Sequence, residues 1–469
     1  MSHKNNHQFE NGLFIFRRDL RLVDNNGLNL LNKKCKNIYA IFIFTPEQVG
    51  SGNKYKSDNA VQFMIESLQD LSQQIGKQGG QLFTFYGHNA KIVEQCIHNF
   101  HIDVVCFNLD VSPYARKRDD DLIKLCQHMK TFVMYDYDYY LYEPGTIFNG
   151  TGEPYKKFTP YYETSLKHRI EEPKKATELK LVKSSVHLTD KITLSEALDK
   201  FTDNNPHILV HGGRDQGIKV LKKALQTQKH YGKTQHELIH PTSQLSAYIN
   251  FGCLSIREIH KAFKGNKAFI RQLIWGSFYA NILYNYPDII HHSFNTKYDK
   301  IRWHHNEKWF NSWCKGTTNF PIIDACMREL NTTGFLHGRG RLIVASFLVK
   351  TLLIDYKKGE KYFATHLTDY NISNNLNNWM WITGNGASAQ EYFRIFNPWL
   401  QSKEHDPDCV YIKKWIPELE NVPPKDIHKW ETEWINYHNT NTNTKYGRPI
   451  CNYEEQKEKA LKMYKDALQ

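Results

Sequence analysis

The sequence lacks the features that would direct it into a membrane or out of the cell. No run of about 18 consecutive apolar residues occurs, so we expect no transmembrane helix. The first residues, MSHKNNHQFENG, are polar and lack the apolar core of a signal peptide. We therefore expect a soluble protein that is not secreted.

Disulfide and metal motifs are also missing. The nine cysteines are an odd number and include no C-x-x-C pair, which indicates reduced thiols in the cytoplasm or nucleus. The 23 histidines include His291-His292 and His304-His305 but no H-E-x-x-H. Adjacent histidines without cysteine or carboxylate partners at ligand spacing are usually surface residues, so we predict no metal site.

Positive charge is in excess, with 61 Lys and Arg against 49 Asp and Glu, a net charge of +12. Such a balance favours a polyanionic partner. Several basic residues stand beside aromatic residues or glycines: Arg339 and Arg341 in HGRGR, Arg394 in EYFRIFNPW, and Lys413-Lys414 before Trp415. Cations next to aromatic rings suit phosphate binding and base stacking, so nucleic acid is favoured over solvated helix faces.

Residues 10–140 alternate between apolar strand-like segments and helical patterns. The predicted strands are 13–18, 38–44, 81–87, 104–108 and 131–137, and the predicted helices are 57–76, 89–100 and 115–129. This alternation predicts an α/β domain with a doubly wound parallel sheet. No G-x-G-x-x-G follows the first strand, so the dinucleotide-binding fingerprint is absent from this sheet.

Residues 141–205 lose this periodicity and become rich in Gly, Pro, Tyr and charge. We predict a long interdomain connection with one ordered piece around Phe158 to Tyr162. From residue 206 only helical spacing remains, which predicts an all-α domain over 206–469. Its predicted helices are 213–229, 244–263, 267–286, 321–331, 340–356, 359–367 and 452–469.

One stretch of this second domain, residues 366–400, stands out. It contains three of the ten tryptophans, a run of asparagines and a Gly/Ala/Ser segment. It is too polar for a core helix and too aromatic for a linker. Trp379 and Trp381 are two apart and cannot share one helical face, so at least one should point away from the core. Either this is a loop–helix junction of biased composition, or it forms a site.

Several longer motifs occur in a characteristic order along the chain. They are FIFRRDLRLVDN (14–25), SPYARKRD (112–119), HPTSQLSAYINFGCLSIRE (240–258), FIRQLIWGSFY (269–279), NFPIIDACMRELNTTGFLHGRGRLIVASFLVK (319–350) and NNWMWITGNGASAQEYFRIFNPW (377–399). On these motifs the chain resembles the photolyase/cryptochrome family, and within it most the class I cyclobutane pyrimidine dimer photolyases. The resemblance implies an N-terminal α/β domain that can carry an antenna chromophore, and a helical domain that holds FAD.

The resemblance also implies which residues contact the cofactor. The expected FAD contacts are Tyr231, Thr242, Ser243, Gln244, Leu245, Ser246, Gln272, Phe278, Arg341, Asp369, Asn371 and Asn375. Asn375 matches the asparagine that faces flavin N5, where a neutral amide can donate or accept a hydrogen bond. Asn371 stands where many relatives have aspartate.

An electron path to the flavin is implied as well. Trp379 and Trp303 match the first and last tryptophans of the family's chain, and the middle position is Tyr356. Tyrosine is harder to oxidise than tryptophan unless its proton can leave. We therefore expect slower or rerouted photoreduction.

The lesion pocket shows further departures from the family pattern. Trp275 and Trp381 match tryptophans that pack on the pyrimidine dimer, and Gln272 stands where a glutamate is common. Gly338 and Leu342 occupy the positions of the histidine pair of (6-4) photolyases. His337 precedes this position in both subfamilies and does not replace it. Because (6-4) repair needs a general acid, the resemblance favours cyclobutane dimers.

Partner contacts follow from the same resemblance. Arg339 and Arg394 match DNA phosphate-binding arginines, whereas Gly276 replaces an arginine, so one contact is expected to be lost. We expect damaged DNA as the partner, a monomer, and no membrane association. The antenna stays open between a deazaflavin, a folate and none.

Two other functions remain to be weighed. A cryptochrome would use the same cofactor as a blue-light receptor without repair. The chain ends about 40 residues beyond IHKW (427–430), without the long extension common in receptors, which favours repair. A flavin-free nucleic-acid-binding module is the third alternative, and a yellow purified protein would exclude it.

Overall fold

The computed structural model describes residues 8–186, 188–438 and 445–469. The N-terminal part contains one five-stranded sheet, in the order β3-β2-β1-β4-β5, in which every neighbouring pair is parallel. Its strands are β1 (Phe9–Phe16), β2 (Cys35–Phe44), β3 (Leu82–Tyr86), β4 (Val104–Leu109) and β5 (Phe132–Tyr137). The predicted doubly wound parallel sheet is confirmed.

Helices cover both faces of this sheet. They are α1 (Asn26–Lys34), α2 (Pro46–Val49), α3 (Asp58–Lys77), α4 (Asn89–Phe100) and α5 (Pro113–His128). Successive strand residues point to opposite faces, so Phe14 and Phe16 pack towards α1 and α3. Leu13 and Ile15 pack towards α4 and α5. Burial on both faces explains why these strands are continuous apolar runs.

The connection contains more structure than the predicted single piece. It forms α6 (Phe158–Ser165) and α7 (Leu194–Phe201), the latter beginning with a capping box between Thr193 and Glu196. Between these helices Leu181 pairs with Ile38 of β2, and Lys191 pairs with Phe85 of β3. These backbone contacts with the sheet carry no local sequence pattern, so the prediction missed them.

The C-terminal part is helical, as predicted. Its helices are α8 (Arg214–Thr227), α9 (Tyr231–Thr234), α10 (Ser246–Asn250), α11 (Ile256–Ala262), α12 (Lys267–Asn285), α13 (Glu307–Lys315), α14 (Pro321–Thr333), α15 (Gly338–Lys350), α16 (Tyr356–His366), α17 (Ile372–Thr383), α18 (Pro398–His405), α19 (Val410–Trp415), α20 (Pro424–Ile427), α21 (Trp430–His438) and α22 (Tyr453–Leu468). Short 3-10 helices occupy Pro287–Ile290, Thr296–Lys300 and Pro417–Leu419. No helix in the described ranges is both long and apolar enough to cross a bilayer.

Two predicted helices have different boundaries in the structure. Segment 244–263 is divided into α10 and α11, because Gly252 adopts φ +64° and a Cβ there would lie 2.2 Å from the Arg18 carbonyl oxygen. The helix predicted over 340–356 ends at Lys350 in the structure. The next helix, α16, begins at Tyr356 after its N-cap Asp355. Leu353, with φ +59°, lies in the break between them.

Buried ion pairs join the sheet to the helical part. Arg21 contacts Asp138 at 2.5 Å, and Arg257 of α11 contacts both Asp138 at 2.7 Å and Asp24 at 3.0 Å. Burial acts to raise the pKa of Asp138, but Arg21 and Arg257 outweigh it and lower that pKa. Arg21 and Asp24 belong to the FIFRRDLRLVDN motif, so part of this motif holds the two parts together.

Candidate active site

A cavity of about 630 Å³ opens in the helical part between α10, α12, α15 and α17. This volume lies within the range of roughly 300–1,000 Å³ that is usual for cofactor sites. The predicted residues that line it are Tyr231, Thr242, Ser243, Gln244, Leu245, Ser246, Gln272, Trp275, Arg339, Arg341, Asp369, Asn371, Asn375, Trp379 and Trp381. Phe278, Tyr356, Trp303 and Arg394 do not line it.

Hydroxyl groups lie at one end of the cavity, in the loop between α9 and α10. Thr242 Oγ1 accepts a hydrogen bond from the Gln244 amide at 3.3 Å, and Ser243 Oγ accepts from the Leu245 amide at 3.4 Å. Gln244 itself has φ +56°. A hydroxyl that accepts an amide N–H keeps its own proton to donate. Both hydroxyls can therefore donate to a phosphate group, and they lie just before the five-residue α10.

An arginine and an aspartate face each other at another part of the wall. Arg341 Nη2 donates to both carboxylate oxygens of Asp369, at 3.0 and 2.9 Å, and its Nε donates to the Leu336 carbonyl at 2.8 Å. The Asp369 side chain is only 4% exposed. A buried ion pair is favourable only when it is well hydrogen-bonded, and this pair is.

Asn375 on α17 is held by a buried glutamate that the sequence analysis missed. Its Nδ2 donates to the backbone carbonyl of Glu360 at 3.0 Å and to Glu360 Oε1 at 2.9 Å. Because the Glu360 carbonyl can only accept, the orientation of the amide is fixed and Oδ1 remains as an acceptor. Burial raises the pKa of the Glu360 carboxyl. Glu360 lies within YKKGEKY, whose charges gave no sign of burial.

Asn371 has a structural position at the start of α17. Its Oδ1 accepts from the Asn374 amide at 3.1 Å and from Ser373 Oγ at 2.7 Å, and it is the N-cap of the helix. Its Nδ2 donates to Asn250 Oδ1 at 3.3 Å. Its hydrogen bonds within the protein therefore hold the side chain in place.

The interpretation of 366–400 as too polar for a core helix is wrong, because Ile372–Thr383 forms α17 and most of that helix is buried. Its asparagines satisfy their amides locally: Asn377 donates to the Ser373 carbonyl at 2.8 Å. The two tryptophans differ as expected, since Trp379 is 2% exposed while Trp381 is half-buried. Trp379 packs on Gly359, where a Cβ would lie 2.2 Å from its ring.

The middle position of the predicted electron path is a buried tyrosine. Tyr356 is buried, and its phenol oxygen makes no hydrogen bond among the described residues. Within those residues no ring contact joins Tyr356 to Trp379 or to Trp303. Trp379 instead contacts Trp313, with ring centroids 6.2 Å apart. Trp313 was not among the predicted site residues, although its spacing from Trp309 indicates a helical face.

Trp275 on α12 forms one side of the cavity and is supported from behind. Its ring stacks on Phe158 of α6, with centroids 3.6 Å apart and planes 8° apart. Phe278 is fully buried and packs edge-on against the same tryptophan at 5.7 Å. The structure therefore brings Phe278 to the tryptophan and not to the cavity wall.

The cavity wall also includes Gly276, Gly338 and Leu342. A Cβ atom added at Gly276 would lie 3.9 and 4.0 Å from the side-chain amide atoms of Asn374. Apart from its chain neighbours and its own helix backbone, it would have no other atom of the described chain within 4 Å. His337 Nδ1 accepts from the Arg339 amide at 3.0 Å. Burial, followed by the charge of Arg341, lowers the pKa of His337 to about 4, so this imidazole is neutral near pH 7.

The two predicted DNA-binding arginines have different environments. Arg339 is half-buried in the cavity wall, 5.9 Å from the Phe396 ring centroid, and its buried Nε has no partner among the described residues. Arg394 is exposed, and its backbone carbonyl accepts from the buried Lys350 ammonium at 2.9 Å. The structure thus places one arginine in the cavity and one outside it.

A parallel α/β sheet followed by a helical part with a cavity of about 630 Å³ is the architecture that the resemblance to photolyases and cryptochromes implies. Two family models match, one described as DNA photolyase over residues 13–178 and one described as FAD binding domain of DNA photolyase over residues 269–466. The deoxyribodipyrimidine photo-lyase of Buchnera aphidicola subsp. Baizongia pistaciae is 33% identical over 97% of this chain and 98% of its own. The Escherichia coli enzyme of the same name is 30% identical over 97% and 98%. The chain therefore belongs to the DNA photolyase family, and the predicted resemblance is confirmed.

Solved structures agree with this assignment. A photolyase from Sulfolobus tokodaii, described with two FAD molecules, is 35% identical with a TM-score of 0.87, covering 97% of this chain and 100% of its own. A class III photolyase from Agrobacterium tumefaciens has a TM-score of 0.90 at 28% identity, with coverage of 100% and 99%. A Synechocystis cryptochrome has a TM-score of 0.87 at 25% identity, with coverage of 99% and 100%.

Proposed function

We propose that the protein is a light-driven deoxyribodipyrimidine photolyase that splits cyclobutane pyrimidine dimers in DNA. One observation carries the proposal: a single cavity is lined both by cofactor-type contacts and by two tryptophans that can pack on a base pair. The cofactor-type contacts are Thr242, Ser243, Arg341, Asp369 and Asn375. The tryptophans are Trp275 and Trp381, with the amide of Gln272 beside them.

The residues present fit FAD. The hydroxyls of Thr242 and Ser243 would donate to its pyrophosphate, and the Arg341–Asp369 pair would border its ring system. Asn375 would accept a hydrogen bond there through Oδ1, since its NH₂ group is occupied by Glu360. When bound, FAD supplies the light-driven one-electron chemistry.

The pocket favours a cyclobutane dimer over a (6-4) product. Extruding a damaged base pair costs a few kcal/mol, and less for a distorted pair. Trp275 and Trp381 would recover part of this cost by stacking, and Gln272 can donate to and accept from a pyrimidine edge. A (6-4) product needs a proton donor, whereas Gly338 and Leu342 carry none and His337 is neutral.

Other parts of the proposal concern electron supply and DNA contact. Trp379 would be the first donor to the cofactor, Trp303 the surface member, and Tyr356 a slow middle position. Arg339 and Arg394 would hold DNA phosphates, which predicts a strongly salt-dependent affinity. The resemblance supports these roles, and for Trp379 and Arg339 their position in the cavity wall supports them as well.

We further propose a monomer that works in the cytoplasm or nucleus. Eight of the nine cysteines are buried free thiols, which fits a reducing compartment. We keep the division into 10–140, 141–205 and 206–469 as the proposed domain organisation. The antenna stays open between a deazaflavin, a folate and none, and any antenna chromophore would bind in the first of these domains.

The test is irradiation of the FAD-loaded protein with oligonucleotides that carry one defined lesion each. Intact thymines are counted after light and after darkness. We expect restoration from the cyclobutane dimer in light only. Restoration from the (6-4) product alone would overturn the histidine argument, and restoration from neither would favour the receptor.

A further inference from the structure

Three exposed basic side chains lie where the interdomain connection meets α12. Lys156 and Lys157 immediately precede α6, and Arg271 lies in the second turn of α12. We call Lys156, Lys157 and Arg271 the basic rim. None of the three lines the cavity. Phe158, the residue after Lys157, stacks on Trp275 in the cavity wall.

Arg271 is held in place by aromatic rings and not by a carboxylate. Its guanidinium carbon lies 5.0 Å from the ring centroid of Phe158 and 5.0 Å from that of Tyr162. A planar cation over aromatic rings loses freedom without losing its charge. Since Phe158 also stacks on Trp275 at 3.6 Å, one aromatic ring links the guanidinium to the wall of the lesion pocket.

The two lysines are held by the backbone at their position. The Ser388 amide donates to the Lys156 carbonyl at 3.0 Å, and the Phe158 amide donates to Ser388 Oγ at 3.1 Å. Ser388 lies in the loop that follows α17, the helix of Trp381. The connection is therefore hydrogen-bonded to the segment that follows α17, the helix that places Trp381 in the cavity wall. Lys156 Nζ lies 5.6 Å from the Tyr286 ring centroid.

The charges of the rim are available to a partner. In the described part of the chain, neither lysine nor Arg271 forms an ion pair with a carboxylate. By contrast, Arg18 and Arg341, which line the cavity, are paired with Asp110 and Asp369. Exposed, unpaired and positioned cations beside aromatic rings are the chemistry that binds nucleic-acid backbones.

We propose that the basic rim binds backbone phosphates of damaged duplex DNA beside the extruded lesion. It supplies cations near Trp275, in a region where position 276 of α12 is a glycine. This inference rests on the proposed function, since it takes the pocket of Trp275 and Trp381 as the place of the lesion. It gives the interdomain connection a part in substrate binding.

The test measures affinity of the FAD-loaded full chain for a dimer-containing duplex across a series of salt concentrations. The logarithm of the binding constant falls linearly with the logarithm of the salt concentration. Arg271→Gln should make this negative slope shallower by about 0.9, the value for one phosphate contact. Lys156→Gln with Lys157→Gln should lower it by up to about twice that amount. Arg271→Lys keeps the charge and should retain most of the slope.

The matched control is Lys33→Gln with Lys34→Gln, which removes an adjacent exposed lysine pair at the end of α1. Its slope should equal that of the unaltered protein. If the rim variants have the same slope as this control, with unchanged flavin absorbance and melting temperature, the proposal that the basic rim binds phosphates is wrong. Failure of the unaltered protein to restore thymines would instead overturn the proposed function, which the salt slopes do not measure.

Discussion

The orientation of single side chains decides what the cavity can do. Asn375 is the clearest case, because its NH₂ group is bound twice by Glu360 and its Oδ1 is left as an acceptor. The sequence allowed either a donor or an acceptor at this position. Only the fold brings Glu360, fifteen residues earlier, behind the asparagine and selects between them.

Glu360 should therefore act on the cofactor through Asn375. Glu360→Leu removes one of the two acceptors that fix the amide, whereas Glu360→Gln keeps a carbonyl there. We expect the leucine variant to lower the midpoint potential of bound FAD, by the equivalent of about 1 kcal/mol, because an acceptor for the reduced flavin is less well held. A potentiometric titration measures this, and a potential unchanged in both variants would contradict it.

Tyr356 should limit photoreduction, because the side chains that interact with its phenol in the described part of the chain include the Ser293 hydroxyl and the Asn385 amide, and neither is a base that can take the proton. Tyr356→Trp introduces a ring that is easier to oxidise and should speed photoreduction of bound FAD. Tyr356→Phe should not. Transient absorption distinguishes these outcomes, and a tryptophan variant no faster than the unaltered protein would show that electrons already bypass this position.

At the scale of elements, local patterns predicted the five strands and many of the longer helices because these have a clear hydrophobic period. The helix predicted over 57–76 differs by one residue at each end from α3 (Asp58–Lys77), whose N-cap is Ser57. The predictions failed where the structure depends on contacts between residues that are distant in sequence. The break at Gly252 is imposed by the close approach of Arg18 and Asp19, and the buried asparagines of α17 find partners within the fold.

The packing of α16 against α17 depends on the absence of a side chain at Gly359. A Cβ there would lie 2.2 Å from the Trp379 ring and 2.6 Å from Leu348. Gly359→Ala should therefore destabilise the protein by about 1–3 kcal/mol despite the better helix propensity of alanine. Thermal unfolding measures the loss. Gly76→Ala in α3 is the control and should be neutral or stabilising, because in the described chain a Cβ there would have no atom within 4 Å beyond its chain neighbours and the backbone of its own helix.

The end of α15 contains a buried lysine that should make stability depend on pH. Burial lowers the pKa of Lys350 from 10.5 to about 7. Above about pH 7 the unfolded chain binds this proton and the folded chain does not, so stability rises with pH until the unfolded lysine also titrates. Lys350→Met should flatten the rise in unfolding free energy between about pH 7 and pH 9, by about 1–3 kcal/mol. An equally steep rise in the variant would contradict this origin.

On the scale of the whole molecule, the two parts are joined by buried charges and by the connection. Arg21, Asp24, Asp138 and Arg257 lock the sheet to α11. The connection pairs with the edge of the sheet and then supports Trp275 through Phe158. The sequence predicted a sheet, a connection and helices in this order, but the role of the connection required the folded structure.

The most direct test of the account is a crystal structure of the FAD-loaded protein with a duplex that contains one cyclobutane dimer. We predict FAD in the 630 Å³ cavity, with Asn375 Oδ1 facing its ring, and the dimer turned out of the helix against Trp275 and Trp381. A dimer that stays within the duplex, or a flavin that leaves no opening between these tryptophans, would contradict it.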